Sequence, residues 1–329
     1  MRETSFGVEV SDVYSAKNRI GNTAYSTPLI RSRPLSRLAS RDVYLKLENL
    51  QSTGSFKVRG AANKLVRLRS ETDLKGVVAF STGNHGRAVS YVAERTGIEA
   101  IVCMSENVPD HRIRAIERYG ATVRITGESQ DKAMKGAREL AEKKGYEIVP
   151  PFDDPEIISG QGTIALEVFE ELPELDSTIV PLSGGGLISG VGLVAKVLNP
   201  ASSLIGVSME RSPVMFHSLR EGGPVELKEQ DTLADNLQGG LGQDNEYTFD
   251  MVNHLVDDVI LVSEVEIANA IEFMLDKHSM VVEGAGAVGV AALMNGKLRD
   301  QGEKVVIVVS GRNIDKDQLL EVVSSQTKK

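Results

Sequence analysis

The most constraining feature of this sequence is a repeated alternation between short β-rich runs and amphipathic stretches, separated by glycine-containing or polar loops. Runs rich in valine and isoleucine occur at 77–80, 100–103, 122–125 and 147–149, and again at 178–182, 204–207, 259–262 and 304–309. Helical patterns lie between them, for example at 86–95, 109–119 and 264–277. This alternation predicts βαβ units with largely parallel sheets. Near-continuous Val/Ile runs also fit strands that are covered on both faces.

The runs form two series, which predicts an α/β protein of two domains with open, mostly parallel twisted sheets. The length of 329 residues suits two domains of ordinary size. We place a smaller domain at residues 50–146 and a larger one at residues 1–49 and 147–329. In open parallel sheets a ligand lies beyond the carboxyl ends of the strands. The loops that follow Phe80, Leu182 and Val309 are therefore candidate parts of a binding site.

The composition excludes several classes of partner. The formal net charge is −9, which would repel a phosphate backbone, so nucleic-acid binding is not expected. Cys103 is the single cysteine, which excludes an intrachain disulfide and favours a reducing compartment. The first residues lack the apolar core of a signal peptide, and no apolar run approaches the ~18 residues of a membrane span. We therefore expect a cytoplasmic protein with a small-molecule ligand and no membrane partner.

The segment 52–62 contains a lysine in an unusual position. Ser55 is predicted to cap a helix that runs toward Leu68, which places Lys57 in the first helical turn. A cation there opposes the helix dipole. The ordinary explanation is a loop lysine exposed to solvent. The alternative is a lysine whose amine forms a Schiff base, because a positive local field favours the neutral nucleophile.

Two glycine-containing loops follow predicted strands. In the loop at 81–86, Ser81, Thr82 and Asn84 add donors to inward-facing backbone N–H groups, which suits a carboxylate. The loop at 183–187 places three consecutive glycines at a predicted helix start, where backbone amides can approach a phosphate closely. An ordinary βα turn explains either loop equally well when it is taken alone.

A fourth feature is the hydroxyl of Ser310 at the end of the last predicted strand, which could be a turn residue or could meet a ring nitrogen. Together, a lysine, an anion loop, a phosphate loop and a terminal hydroxyl are the parts needed to hold pyridoxal phosphate and an amino-acid carboxylate. The rival interpretation is a nucleotide-binding oxidoreductase or a binding protein that uses the triple-glycine loop. Glu210 after the next strand is the acid that could hold a ribose in that case.

The motifs resemble those of the threonine and serine dehydratases, which are pyridoxal-phosphate enzymes of fold type II. The resemblance covers about residues 27–313 and rests on four motifs and on the terminal Ser310. The motifs are SFKVRGA at 55–61, STGNHG at 81–86, PFDDP with GQGT at 151–163, and SGGGL at 183–187. The pattern is also similar to serine racemase, hydroxyaspartate dehydratase and hydroxyectoine-utilisation dehydratases. The resemblance implies a cofactor cleft between two domains and a homodimer.

The resemblance also implies roles for individual residues. Lys57 carries the cofactor and moves the α-proton, Phe56 packs beside the ring, and Asn84 bonds the ring hydroxyl. The substrate carboxylate is held by Ser81, Thr82, Gly83, Asn84 and His85. The cofactor phosphate is held by Ser183, Gly184, Gly185, Gly186 and Leu187, and the ring nitrogen meets Ser310.

Three departures from the family pattern bear on function. Ser183 stands where glycine is common, so its hydroxyl is expected to donate directly to the phosphate. Thr82 stands where serine racemase has a catalytic serine, which favours dehydration over racemisation. Glu210 matches one ligand of a divalent cation site, but Phe216 stands where the second acid would be, which weakens the metal assignment. The sequence thus predicts elimination of water from a β-hydroxy amino acid, with racemisation as the alternative.

Overall fold

A computed structural model describes residues 6–71, 73–81, 83–106, 108–127, 130–299 and 301–326. The strands within these residues are β1 Leu29–Arg31, β2 Asp42–Lys46, β3 Val77–Phe80, β4 Ala100–Met104, β5 Thr122–Ile125, β6 Glu147–Ile148, β7 Ser177–Pro181, β8 Ser203–Met209, β9 Asp258–Val262 and β10 Lys304–Val308. All eight predicted runs are strands, with ends that differ by one or two residues at most. The sequence patterns did not predict β1 and β2.

The strands form two sheets, as the two series of runs predict. A six-stranded sheet has the order β1-β2-β10-β7-β8-β9, and a four-stranded sheet has the order β5-β4-β3-β6. Strand β1 pairs antiparallel with β2, and the other pairings are parallel. The four-stranded sheet includes β6, which lies just beyond residue 146, so the exact division into domains stays a prediction.

Helices connect the strands and cover both sheets. They are α1 Val10–Ile20, α2 Arg33–Ala39, α3 Lys57–Glu71, α4 Asn84–Thr96, α5 Asp110–Glu117, α6 Gln130–Lys144, α7 Pro155–Glu171, α8 Gly186–Leu198, α9 Val214–Glu221, α10 Thr248–Leu255, α11 Glu264–His278, α12 Gly284–Met294 and α13 Lys316–Gln326. The predicted helices correspond to α3, α4, α5 and α11. In the described part of the chain, none of the helices combines the length and the apolar character that a membrane crossing requires.

The predicted cap of α3 is wrong. The helix begins at Lys57, so this lysine does lie in the first turn, but the buried hydroxyl of Ser55 has no hydrogen-bond partner among the described residues. Ser55 instead forms an isolated antiparallel bridge with Gly311. Pairing with a segment far along the chain therefore replaces the local capping bond that the sequence suggested.

Helix α7 lies between α3 and α8, and its backbone is in direct contact with the backbones of both helices. A Cβ atom on Gly160 of α7 would lie 2.6 Å from the Cα of Gly60 in α3. A Cβ on Gly190 of α8 would lie 2.3 Å from the carbonyl oxygen of Ile158 in α7. No residue larger than glycine fits at either crossing without a backbone shift. These contacts fix the starts of α3 and α8, which carry the candidate lysine and the glycine loop.

Candidate active site

A cavity of about 630 Å³ lies where β3, β7 and β10 end, and its size is typical of ligand pockets. Glu210 is the one predicted site residue within the described chain that does not line the cavity. The others all do: Phe56, Lys57, Ser81, Gly83, Asn84, His85, Ser183, Gly184, Gly185, Gly186, Leu187 and Ser310. Thr82 lies outside the described residues. The structure therefore brings together four motifs that are widely separated in the sequence.

Lys57 presents its amine to this cavity. Its Nζ donates a hydrogen bond to the carbonyl oxygen of Pro151 at 2.6 Å and lies 5.2 Å from the ring centroid of Phe56. No acidic partner is among its contacts in the described structure. Burial lowers the pKa of Lys57 from 10.5 to about 8. A substantial fraction of this amine is thus neutral, and able to act as a nucleophile or a base, just above neutral pH.

The segment Pro151 to Pro155 connects the parts of the site. The carbonyl oxygen of Pro151 accepts the hydrogen bond from Lys57. The ring of Phe152 packs so closely on Gly184 that a Cβ at position 184 would lie 2.5 Å from a ring carbon. Asp153 accepts hydrogen bonds from the backbone of 246–248 on the far wall. Asp154 caps α7 by accepting from two backbone N–H groups at 3.0 and 3.1 Å. These bonds explain why this motif accompanies the lysine and glycine motifs.

The described residues of the loop at 81–86 lie at the end of β3 and at the start of α4. The N–H of Gly83 donates to the hydroxyl of Ser81 at 3.2 Å, and none of the described side chains caps α4. The first N–H groups of this helix are therefore available to an anion at the cavity wall. This arrangement supports the predicted carboxylate site, although the individual contacts stay predictions.

His85, within this loop, is buried and neutral. Its Nε2–H donates to the carbonyl oxygen of Val149 at 2.8 Å, because a carbonyl can only accept. Burial, with a further contribution from Lys57, lowers the pKa of His85 to about 3. A hold on the substrate carboxylate would therefore come from the backbone of His85 and not from a charged ring.

The glycine loop at 183–187 begins α8. Gly185 is its N-cap, with φ at +91°, and the described side chains supply no cap. The free N–H groups of the first turn face a cavity that a phosphate can enter. The hydroxyl of Ser183 donates to the carbonyl oxygen of Leu237 at 2.9 Å. Its proton is thus engaged, and direct donation from Ser183 to a phosphate stays a prediction.

Ser310 and Glu210 have different surroundings. Ser310 is buried at the end of β10, and its carbonyl oxygen accepts from the N–H of Phe56 at 3.0 Å, which ties it to the start of α3. Glu210 follows β8, is half exposed, and lies 3.7 Å from Nζ of Lys297. The described residues contain no group of three potential ligand side chains arranged for a metal. Glu210 as a metal ligand stays a prediction.

Another part of the cavity wall comes from residues 235–242, 244 and 246. Asp235 forms an ion pair with Arg112 of α5. The amide oxygen of Asn236 would lie 2.4 Å from a Cβ on Gly83. This wall thus lies directly against the anion loop, and a side chain at position 83 would require the amide of Asn236 to move.

Glu283, which no sequence motif indicated, also lines the cavity. Its carboxylate is buried and accepts hydrogen bonds from Asn84 at 2.7 Å and from the backbone of Asn313 at 2.8 Å. The only signal in the sequence is an acid directly before a glycine-containing helix start, which is too common to indicate a site. Arg112, Asp235 and Asn236 carry no motif and were missed for the same reason.

The residues present fit pyridoxal phosphate. The cradle at Gly184 and Gly185, with uncapped N–H groups behind it, suits a phosphate monoester. The amine of Lys57, with its lowered pKa, suits a covalent bond to an aldehyde. Ser310 and Asn84 add neutral polar groups to the lining of the same cavity.

Comparisons with known proteins agree with this fit. A family model described as pyridoxal-phosphate dependent enzyme matches residues 20–311. The chain is 45% identical to a putative threonine dehydratase of Sinorhizobium fredii, covering 98% of this chain and 97% of the relative. It is 42% identical to an L-threonine ammonia-lyase of Thermotoga maritima, covering 96% and 78%. The structure of maize serine racemase superimposes with a TM-score of 0.90 at 32% identity, covering 98% of each chain. This chain belongs to the family of pyridoxal-phosphate dependent enzymes.

Proposed function

We propose that this protein eliminates water from a small β-hydroxy amino acid such as threonine or serine, giving a 2-oxo acid and ammonia. The observation that carries the proposal is the meeting of Lys57, the anion loop at 81–86, the glycine loop at 183–187 and Ser310 at one cavity. The names of the two relatives, a threonine dehydratase and a threonine ammonia-lyase, support the same reaction type. A dehydratase of 3-hydroxyaspartate or of a hydroxyectoine-derived amino acid is the same chemistry on another side chain.

The residues of this chain divide the work of the elimination. Pyridoxal phosphate, when bound, supplies an electron-withdrawing ring that lowers the cost of removing the α-proton. The amine of Lys57, neutral above a pH of about 8, is the group that accepts this proton. The backbone N–H groups at the start of α4 hold the carboxylate, so that the α-carbon stays within reach of the amine. Loss of the β-hydroxyl as water leaves an unsaturated amino acid, which hydrolyses to the oxo acid and ammonia.

The test is a product assay with purified holoenzyme over a panel of β-hydroxy amino acids, which includes threonine, serine and 3-hydroxyaspartate. Release of 2-oxo acid should match ammonia in equal amounts. Chiral analysis of the remaining substrate should show little D-amino acid. A mostly D-amino acid product from an L-substrate would contradict the proposal.

Racemisation is the second candidate, because the maize serine racemase structure matches the whole chain closely. It requires a proton donor on the face opposite Lys57, and Thr82 is the residue that the family pattern assigns there. A threonine hydroxyl is restricted at χ1 by its β-branch, which disfavours its reorientation toward the α-carbon. The same chiral assay decides between the two reactions.

Replacing Gly185 with alanine is expected to weaken cofactor binding about tenfold. The residue has a φ of +91°, which costs ~1–2 kcal/mol for a residue with a Cβ, and the loop would relax away from the phosphate. The measurement is titration of apoenzyme with pyridoxal phosphate. The control is Gly223→Ala, because a Cβ there meets nothing within 4 Å and φ is ordinary. Equal affinities in the two variants would contradict the role of this loop.

Replacing Ser310 with aspartate is expected to lower elimination relative to transamination. Ser310 offers a neutral hydroxyl, whereas a carboxylate would hold a proton on the cofactor's ring nitrogen and favour longer-lived carbanions. A change on the order of tenfold in the product ratio corresponds to about 1.4 kcal/mol in relative barriers. The ratio is measured by chromatography of oxo acids and of the aminated cofactor. An unchanged ratio would remove Ser310 from the control of reaction choice.

We also propose a cytoplasmic homodimer of two-domain chains. The single cysteine supports a reducing compartment. The dimer is the usual assembly implied by the resemblance, and equilibrium sedimentation would measure it.

A further inference from the structure

Glu283 is a buried carboxylate at the cavity wall to which neither the sequence motifs nor the proposed reaction gives a role. It precedes α12 and is 2% exposed. Its Oε1 accepts a hydrogen bond from Nδ2 of Asn84 at 2.7 Å, and its Oε2 accepts from the backbone N–H of Asn313 at 2.8 Å. Both contacts require a group that accepts and does not donate.

A chain of hydrogen bonds with one direction runs from Arg87 to Glu283. Arg87 donates to Oδ1 of Asn313. Nδ2 of Asn313 then donates to the carbonyl oxygen of Thr53 at 2.9 Å and to Oδ1 of Asn84 at 2.5 Å. The chain begins at the guanidinium of Arg87, which can only donate, and ends at the ionised carboxylate of Glu283, which can only accept. Rotating either amide by 180° would place donors against donors and acceptors against acceptors.

The direction of this chain determines what Asn84 offers to the cavity. One hydrogen on its Nδ2 is donated to Glu283, and its Oδ1 is occupied by Asn313. The second hydrogen on Nδ2 remains for a ligand, and Asn84 lines the cavity. We propose that Glu283 is a positioning residue, which fixes the amide of Asn84 so that it donates to the bound cofactor. The proposal rests on the cofactor binding of this family and not on dehydration.

Charged groups around Glu283 make its protonation state sensitive to pH. The negative charge of Asp235 disfavours the ionised form of Glu283, whereas the positive charges of Arg112 in α5 and Arg87 in α4 favour it. Burial first, and then Asp235, raise the pKa of Glu283 from 4.5 to about 7, against the two hydrogen bonds and Arg112. Below this pH one of the two N–H groups faces the protonated oxygen of Glu283, which is a weaker acceptor than a carboxylate oxygen and itself carries a donor.

Replacing Glu283 with glutamine preserves shape and removes the second acceptor. The glutamine Nε2 must face either Asn84 or the N–H of Asn313, and each is a donor. The expected result is a cofactor dissociation constant about tenfold higher, which is the cost of roughly one hydrogen bond. Glu266→Gln is the control, because Glu266 is also a bonded carboxylate but does not line the cavity. Its cofactor affinity should stay unchanged.

A double-mutant cycle tests whether Glu283 acts through Asn84. Apoenzyme of the wild type, Glu283→Gln, Asn84→Ala and the double variant is titrated with pyridoxal phosphate and followed by its absorbance. The glutamine substitution should raise the dissociation constant about tenfold in the wild-type background and less than about twofold beside Asn84→Ala. Equal effects in both backgrounds, or no effect in either, would overturn the proposal.

The pH dependence supplies a second test that does not depend on the folding of Glu283→Gln. Wild-type affinity for the cofactor should fall as pH decreases through about 7, because Glu283 takes up a proton. This step should be absent in Asn84→Ala, whereas contributions from Lys57 and the cofactor phosphate should remain. The same step in the wild type and in Asn84→Ala would overturn the proposal. An enzyme that racemises instead of dehydrating would leave the prediction unchanged.

Discussion

Replacement of Lys57 with alanine is expected to abolish turnover, with a loss on the order of 10³-fold or more, and to remove the cofactor's visible absorption band. Among the described residues, Lys57 is the one lysine that lines the cavity, and burial lowers its pKa to about 8. Lys46 and Lys64 are held in ion pairs with Glu167 and with Asp154 and Glu156. An ion pair favours the charged form of an amine, and the charged form is not a nucleophile.

The measurement combines steady-state assays, absorbance spectra and borohydride reduction followed by peptide mapping. The label should be found on Lys57. Lys64→Ala, the matched control on the same helix, should keep the band, since attraction to Asp154 and Glu156 outweighs burial and raises the pKa of Lys64. Label on Lys46 or Lys64 in the wild type would refute the assignment.

The same amine predicts how reconstitution depends on pH. A folded-state pKa below the usual value means that Lys57 loses its proton as pH rises through about 8. The rate at which apoenzyme bonds covalently to pyridoxal phosphate should therefore rise across this range and level off above it. Stopped-flow absorbance measures this rate, and a pH-independent rate between 7 and 9 would contradict the lowered pKa.

Replacement of Arg59 with methionine is expected to destabilise the fold by about 3–5 kcal/mol. Arg59 lies two residues after Lys57 and is fully buried. Its guanidinium donates hydrogen bonds of 3.1 Å or less to four groups, which are the carboxylates of Glu48 and Glu167, the hydroxyl of Thr163 and the carbonyl oxygen of Tyr25. Its guanidinium bonds both Glu48 and Glu167, and Lys46 also bonds Glu167. Two cations therefore balance two carboxylates, and loss of one cation leaves an uncompensated buried charge.

Urea unfolding of apoenzyme monitored by circular dichroism measures this loss. Lys17→Met is the control, since its pair with Glu170 is exposed and is worth less than about 1 kcal/mol. Burial would raise the pKa of Glu167, but Arg59 and Lys46 hold it below its usual value. Without Arg59 the pKa of Glu167 rises. The loss of unfolding free energy relative to the wild type should therefore be smaller at acid pH, where Glu167 binds a proton. An equal loss of stability at pH 5 and pH 8 would show that Arg59→Met acts through lost packing and not through lost charge.

The predicted parts of the site were those whose signal is local. The place of Lys57 in a first helical turn and the glycine loop at the start of α8 could be predicted from the residue types nearby, although the predicted Ser55 cap is wrong. The alternating runs gave the strands and the parallel sheets, because a buried parallel strand needs an apolar run. The loops after β7 and β10 were expected to meet, since these neighbouring strands end at one edge of a parallel sheet. The loop after β3 belongs to the other sheet, and only the tertiary structure brings it to the same cavity.

Tertiary structure decided which polar groups meet. No motif in the sequence indicated Glu283 or a long-range partner for Ser55 or Ser183, and the groups that these three residues contact come from segments far away along the chain. Glu283 and Asn84 are separated by 199 residues, and Arg59 and Glu167 by 108. Pairings over such distances depend on how the helices pack, which here is set by glycine contacts between α3, α7 and α8. The sequence alone therefore determined the local chemistry of each motif, whereas the packed fold determined which charge is neutralised, which amide is oriented and which hydroxyl is already bonded.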